Sequence, residues 1–348
     1  MFMCEFHVTY LMNYKQMKQV KEILRIVLPL TFGVLIFWWV YRGMDFGKIW
    51  KILEHDVAYH WLVLSIIIGI FSHVLRAIRW QMLIKLLGVH PSVYTLTNAV
   101  FINYGANLVF PRLGEVWRCI YVSRKEKISF TKVFGTLISE RIVDLLLVGL
   151  MILVAMFTMM DVFSDFIKEH IHLHLPFSFK IDVGLFYLVT AIGLVAVTFI
   201  YRKINQSKIF LKVKMLLHEL WIGLKTLIIL PHKGQFIFLS VLIWVTYFVQ
   251  LYVCFFAFDY TAKLGIGICL AIFVMGTIAF GLPVQGGIGP WHFMVISTMV
   301  FYGVGQTEAA AFALIVHTMG TLMNAATGIY AFLVTGTSKI DRETINIE

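Results

Sequence analysis

The sequence predicts an all-α polytopic integral membrane protein, on three observations. Of its 348 residues, 60% are hydrophobic and only 14% charged, with a mean hydropathy of +0.85; a soluble domain carries about 25% charged residues. The apolar residues arrive in runs such as IVLPLTFGVLIFWWVY (26–41) and LFYLVTAIGLVAVTFIY (185–201), and about 20 such residues in a helix cross a bilayer core. Lysine and arginine collect in the segments between runs, as they do where loops set membrane topology. This composition excludes an ordinary soluble enzyme.

Seven runs read as spans: 24–41, 58–78, 133–159, 183–201, 235–258, 264–283 and 309–335. Two further apolar stretches, 93–117 and 284–305, are interrupted by polar residues, glycine and proline. The total is about eight membrane segments. The first run follows KQMKQVKEILR without a small-residue cleavage site, so it reads as a retained anchor. Residues 1–25 carry four basic side chains against two acids, 118–132 five against one, and 201–234 seven against one, whereas 161–182 holds four acids and two lysines. The first three segments are therefore expected on the cytoplasmic side, the amino terminus with them, and the last outside. Because 76–92 is basic too, 93–117 must leave by the side it entered, as a re-entrant hairpin, or cross twice in very short helices. Irregular backbone at membrane depth survives only when buried in protein or lining a wet cavity. PVQGGIGP marks 284–305 as a second candidate. If it re-enters, the carboxy terminus lies outside; if it crosses, inside, which the charge of TSKIDRETINIE slightly favours.

Within 207–228, Ile209, Val213, Leu216, Leu217, Leu220, Leu224 and Leu227 share one helical face, with lysines opposite. The segment reads either as a cytoplasmic amphipathic helix in the membrane interface or as a surface helix packed on the bundle. No long repeat is evident, although the two interrupted stretches hint at two related halves. A net charge of +10 placed beside apolar runs points to anionic lipid headgroups, not nucleic acid. The four cysteines, scattered at 4, 119, 254 and 269, imply no disulfide framework. HIHLH (170–174) aligns three imidazoles without a carboxylate or cysteine spaced to complete a metal site. No metal or other cofactor is expected, and no nucleotide-binding or hydrolase motif is present.

Three polar clusters are candidates for function. An ionisable side chain at the centre of a membrane helix costs about 2.5–3.5 kcal/mol, so it needs a partner or a task. In SERIVD (139–144), Arg141 can pair with Asp144 one turn on, leaving Glu140 to seek a cation on another helix. The cluster is either an ion-pair lock or a charged wall of a hydrated cavity. In NYGANLVFPRLGEVWR (103–118), Pro111 can open a helix, which would set Arg112, Glu115 and Arg118 on one ridge, with Asn103 and Asn107 on the preceding arm. Guanidinium forks suit phosphate or carboxylate. In PVQGGIGPWH (283–292), Gly286, Gly287 and Gly289 precede a helix start, where backbone N–H groups can face an anion; Gln285 and His292 lie beside them. His73 and His317 read as hydrogen-bonded packing residues.

Together, RAIRW (76–80), NLVFPRLGE..R (107–118), ER..D (140–144) and P..GGIG (283–289) resemble the lysylphosphatidylglycerol synthase transmembrane-region family, the flippase domain of the multiple peptide resistance factor, some members of which are described as dolichol-phosphate glucose synthetase-like. The resemblance covers roughly residues 55 to 335. It implies a single flippase-like domain without a soluble synthase domain, in the bacterial inner (plasma) membrane, that moves or binds an anionic or aminoacylated phospholipid-type lipid and is not expected to transfer the aminoacyl group itself. It implies that Arg112 and Arg118, with the Gly286–Gly289 backbone, hold the phosphate. Glu115, Glu140 and Asp144 would balance these arginines or meet a cationic headgroup, Asn103 and Asn107 would line the headgroup path, and Arg76, Arg79 and Arg141 count among the headgroup-binding residues. Where members often carry an acid shortly after the glycines, this chain has His292. The expected partners are membrane lipids, with a separate lipid-modifying enzyme or a second copy of the chain as further candidates. A membrane-embedded transferase using Glu140 or Asp144 as general base, or an accessory subunit of such an enzyme, are the alternatives.

Overall fold

A computed structural model describes residues 27–158 and 230–336. The expected span at 183–201, the amphipathic segment 207–228, the HIHLH motif and the amino-terminal basic segment lie outside the described residues.

Helix α1 (Val27–Tyr41) presents Leu28, Leu35 and Trp38 outward and turns by 88° into α2 (Phe46–His55). Asp45 caps α2 by accepting from the Lys48 N–H at 3.1 Å, and the helix buries Ile49. α3 (Tyr59–Lys85) and α7 (Lys233–Phe255) form the central pair. They run antiparallel: Arg79 meets Ser240 (3.2 Å) and Arg76 meets Tyr247 (3.1 Å). Further along, Ser65 meets Cys254 (3.2 Å), and the Ala58 N–H donates to the Ala257 carbonyl (2.8 Å).

After α3 come α4 (Val93–Val109), opened by a Ser92 cap, α5 (Leu113–Glu126) and α6 (Phe130–Thr158). After α7 come the single turn α8 (Asp259–Ala262), α9 (Ile266–Phe280), α10 (Pro290–Phe301) and α11 (Gln306–Gly336). Setting α8 aside, the order is long, short, short, long in both halves: 27, 17, 14 and 29 residues, then 23, 15, 12 and 31. The packing repeats as well. In each half the short helices pack on each other, the second short helix packs on the long helix after it, and the first reaches across to the last helix of the other half, α4 to α11 and α9 to α6. With α3 antiparallel to α7, the two halves share one order of elements and one pattern of packing while running in opposite directions.

The breaks inside the two short-helix pairs face each other. Arg112 Nη2, in the α4–α5 turn, donates to the Gly281 carbonyl at the end of α9 (2.5 Å). A Cβ on Gly286 would lie 3.3 Å from Leu108. α4 approaches α11 through two glycines: a Cβ on Gly105 would sit 2.7 Å from Gly328 Cα, so backbone packs on backbone, as small residues allow between apolar helices.

Two apolar cores flank this centre. One joins α2, α9, α10, α11 and the end of α7; the other joins α3, α4, α5 and the start of α6. Outward faces stay oily, with Leu145, Leu146, Leu150, Ile237, Phe238, Ile329 and Leu333 each more than half exposed, the surface of a chain whose solvent is lipid.

The expected run 264–283 is not one long helix. It ends at Phe280, because Gly281–Ile288 turns the chain back, and α9 pairs with α10. α3, α7 and α11 are long and apolar enough to cross a membrane, and α1 and α2 qualify together as a bent pair. α4, α5, α9 and α10 have 12 to 17 residues each. At 1.5 Å per residue the longest is roughly 26 Å, short of the ~30 Å hydrocarbon core.

Candidate functional site

Arg76 and Arg79 stand on one face of α3 and meet Glu140 and Asp144, one turn apart on α6. Arg76 Nε donates to Glu140 (2.7 Å) and Nη2 to Asp144 (2.8 Å). Arg79 donates to Asp144 (2.7 Å) and lies 3.1 Å from Glu140. From α5, Arg118 reaches the other oxygen of Glu140 at 3.1 Å, its guanidinium 4.5 Å from the Trp80 ring centre. All five charges are buried, and Arg79, Arg118 and Glu140 are wholly so. The carboxylate that the sequence left searching for a cation on another helix thus finds three, on two helices.

Arg141 does not pair mainly with Asp144. It lies 3.0 Å from Glu115 on α5 and 3.6 Å from Asp144, because Asp144 faces α3 while Arg141 faces the α4–α5 pair. Nor do Arg112, Glu115 and Arg118 share a ridge. α5 begins at Leu113; Phe110 is extended and Arg112 is left-handed (φ 65°) in the connecting turn. That turn is tight because Gly114 lies against the Asn103 carbonyl and its N–H donates to Asn107 Oδ1 (2.9 Å). Arg118 therefore enters the buried cluster, Glu115 stays half-buried beside Arg141, and Arg112 remains exposed with one partner, Gly281.

In front of the cluster lies a cavity of about 470 Å³ between α3, α7, the facing breaks and α11. Arg76, Arg112, Glu115 and Arg141 line it, with Asn103 and Asn107 on α4 and Gly286 and Gly287 on the second break. Gly289, Gln285, His292 and Arg118 do not. Gly289 caps α10 with its own N–H turned to His292 Nδ1 (3.4 Å), and α1 covers it at Gly33. The start of α10 is thus closed, and His292 serves in packing against Phe37, Tyr41 and His317. Left-handed backbone at Gly286 (φ 58°) and Gly287 (φ 74°) makes the break possible, and His317 pins it by donating to the Gly286 carbonyl (2.8 Å).

Five arginines (76, 79, 112, 118, 141) meet three carboxylates (115, 140, 144) around and behind the cavity, a surplus of two positive charges. Among the described residues no group of side chains is arranged to hold a metal.

Sequence reasoning missed the tyrosines. Tyr104 (α4) and Tyr247 (α7) both accept from Arg76 Nη1, at 2.8 and 3.1 Å, and hydrogen-bond each other at 3.0 Å. They close the guanidinium's last face and tie the two halves together. Ser240 likewise accepts from Arg79 (3.2 Å). The available signal was a polar atom recurring within an apolar run on the helix facing α3.

The profile of the lysylphosphatidylglycerol synthase TM region matches residues 26–328. A UPF0104 membrane protein of Methanocaldococcus jannaschii is 23% identical over 331 residues, 89% of this chain and 94% of the relative. A UPF0104 membrane protein of Pyrococcus horikoshii is 26% identical over 139 residues, 39% of this chain and 40% of the relative. Glycosyltransferase AglD of Haloferax volcanii is 36% identical over 84 residues, 24% of this chain and 14% of the relative. No solved structure matches. The four motifs that meet at the buried cluster and the facing breaks lie inside the matched span, and the chain belongs to the lysylphosphatidylglycerol synthase transmembrane-region family.

Proposed function

We propose that the protein is a lipid flippase whose cavity receives the headgroup of an anionic lipid while the acyl chains stay in the bilayer. The surplus positive charge around and behind the cavity carries this reading: a low-dielectric site with two uncompensated guanidinium charges favours an anion strongly. Arg112 is the guanidinium most available to a phosphate, since it lines the cavity with a single carbonyl partner.

The helix pairs supply a path. α4–α5 and α9–α10 are re-entrant hairpins that enter from opposite leaflets and touch at their tips, because no member is long enough to cross alone. The basic charge of the α3–α4 and α5–α6 loops favours the cytoplasmic side for them, and with them the end of α11, where the Tyr330 hydroxyl meets that of Tyr94 at the start of α4 (3.2 Å). The start of α11 lies at the opposite end beside Tyr260, whose hydroxyl donates to the Glu308 carbonyl (3.0 Å). A two-fold axis in the membrane plane gives both leaflets an equivalent approach to one central site, the plan of alternating-access transporters.

A membrane transferase is the second reading, favoured by the partial likeness to a protein named as a glycosyltransferase. A general base needs a carboxylate free to take a proton, and Glu140 and Asp144 are each held by two or more guanidinium groups. The two readings separate in liposomes carrying purified protein and a fluorescent phosphatidylglycerol. Transport gives leaflet exchange with an unchanged lipid on thin-layer chromatography. A new lipid species would assign the transferase.

A further inference from the structure

We propose that the headgroup taken into this cavity carries hydroxyl groups beside its phosphate, as a glycerol- or sugar-phosphate lipid does, and carries no ammonium group. The inference rests on the anionic-lipid reading above and adds the chemistry of the rest of the headgroup.

The first support is the state of the carboxylates. Glu115 is the one carboxylate lining the cavity among the described residues, and Arg141 holds it at 3.0 Å. Glu140 and Asp144 lie behind, occupied by Arg76, Arg79 and Arg118. An incoming ammonium would have to displace a guanidinium from its partner while Arg76, Arg112 and Arg141 repel it across a low-dielectric space.

The second support is a set of polar atoms that the protein leaves unpaired. His73 Nδ1, Asn103 Oδ1, Trp244 Nε1 and Asn324 Oδ1 are buried atoms with no hydrogen-bond partner, and all four residues line the cavity. His73 and Asn103 are each only 3% exposed. Three of them adjoin the tyrosines that hold Arg76: Asn103 precedes Tyr104 in the chain, His73 stacks on Tyr104 with ring centres 4.2 Å apart, and Trp244 packs edge-on against Tyr247 at 5.7 Å; the fourth, Asn324, stands on α11, its carbonyl 3.7 Å from where a Cβ on Gly105 would lie.

An unmet buried polar atom is destabilising, so such a cluster in a cavity wall marks a place that a ligand completes. Amide oxygens only accept and indole N–H only donates. An ionised phosphate has no proton to give and leaves both amide oxygens unmet. An ammonium could donate but is excluded by charge. A hydroxyl group donates to an amide oxygen, accepts from the indole, and is neutral.

The test is native mass spectrometry of the purified full chain. It is offered an equimolar mixture of phosphatidic acid, phosphatidylglycerol and lysylphosphatidylglycerol with identical acyl chains. The expected result is phosphatidylglycerol retained about tenfold over each of the others, two net hydrogen bonds being sufficient for that ratio. Asn103→Leu with Asn324→Leu should abolish the preference, bringing phosphatidylglycerol retention down to that of phosphatidic acid measured on the same variant. Trp244→Phe, which keeps an aromatic ring and loses the donor, should lower the preference on its own should the double variant fail to fold. Equal retention of all three lipids, preference for the lysyl lipid, or a phosphatidylglycerol preference that survives the substitutions overturns the inference alone. Retention of none of them overturns the anionic-lipid reading beneath it.

Discussion

Replacing Glu140 by glutamine keeps the shape of the side chain and removes one of only two carboxylates serving three buried arginines. Glu140 accepts from Arg76 Nε at 2.7 Å and Arg118 Nη2 at 3.1 Å and lies 3.1 Å from Arg79 Nη2. Asp144 can still hold Arg76 and Arg79, at 2.8 and 2.7 Å, but Arg118 would have no carboxylate at all, only the Trp80 ring. Breaking a buried pair from one side costs about 3–5 kcal/mol, at least about a fifth of a typical native stability of roughly 5–15 kcal/mol. The melting temperature in detergent should fall by about 10 °C. Arg118→Met should cost much less, because Arg118 makes one hydrogen bond and leaves Nε and Nη1 unpaired, and its removal brings the buried charges into balance. Joined to Glu140→Gln, Arg118→Met should restore part of the lost stability. The reasoning fails if Glu140→Gln melts within about 2 °C of the wild type, or if Arg118→Met is the more damaging of the two.

Gly105→Ala and Gly328→Ala should each lower the melting temperature in detergent by several degrees, since a Cβ at either site would press on the other's Cα at 2.7 or 2.6 Å; Gly149→Ala, with open space around it, should leave it within about 2 °C. Arg112→Ala should melt like the wild type and exchange no lipid, because Arg112 is exposed and has one protein partner. In a variant lacking Cys4, a cysteine at Lys127 and one at Gln306, both exposed, should react with a membrane-impermeant maleimide from opposite sides of sealed vesicles; labelling from the same side would refute the inverted arrangement of the hairpins. Cys119, Cys254 and Cys269 are buried and should stay silent in that experiment.

Glu140 was legible as a residue in need of a partner because a carboxylate in an apolar run has no other explanation, and its partners proved to be arginines from separate motifs. Arg112 was misplaced because Pro111 suits a helix start, whereas here Arg112 itself, left-handed, closes the turn immediately before the helix begins. The run 264–283 was overextended because hydropathy is blind to where an apolar chain reverses. The break at Gly281 stays apolar through Leu282, Pro283 and Val284. Tyr104 and Tyr247 were hidden because a tyrosine inside a span reads as packing until the arginine it faces is known. The likeness of the two halves was faint in sequence because they share element order and packing while their polar residues differ: a charge sits in the first break and glycines in the second.

Leaflet exchange in liposomes carries the central claim. Liposomes with purified protein and a trace of fluorescent phosphatidylglycerol are quenched from outside with dithionite, beside protein-free liposomes and liposomes carrying Arg112→Ala at the same density. The account predicts that wild-type protein exposes the inner-leaflet lipid to quenching and that both controls protect it. Protection of the inner leaflet by the wild type, or exchange by Arg112→Ala at the wild-type rate, would contradict it.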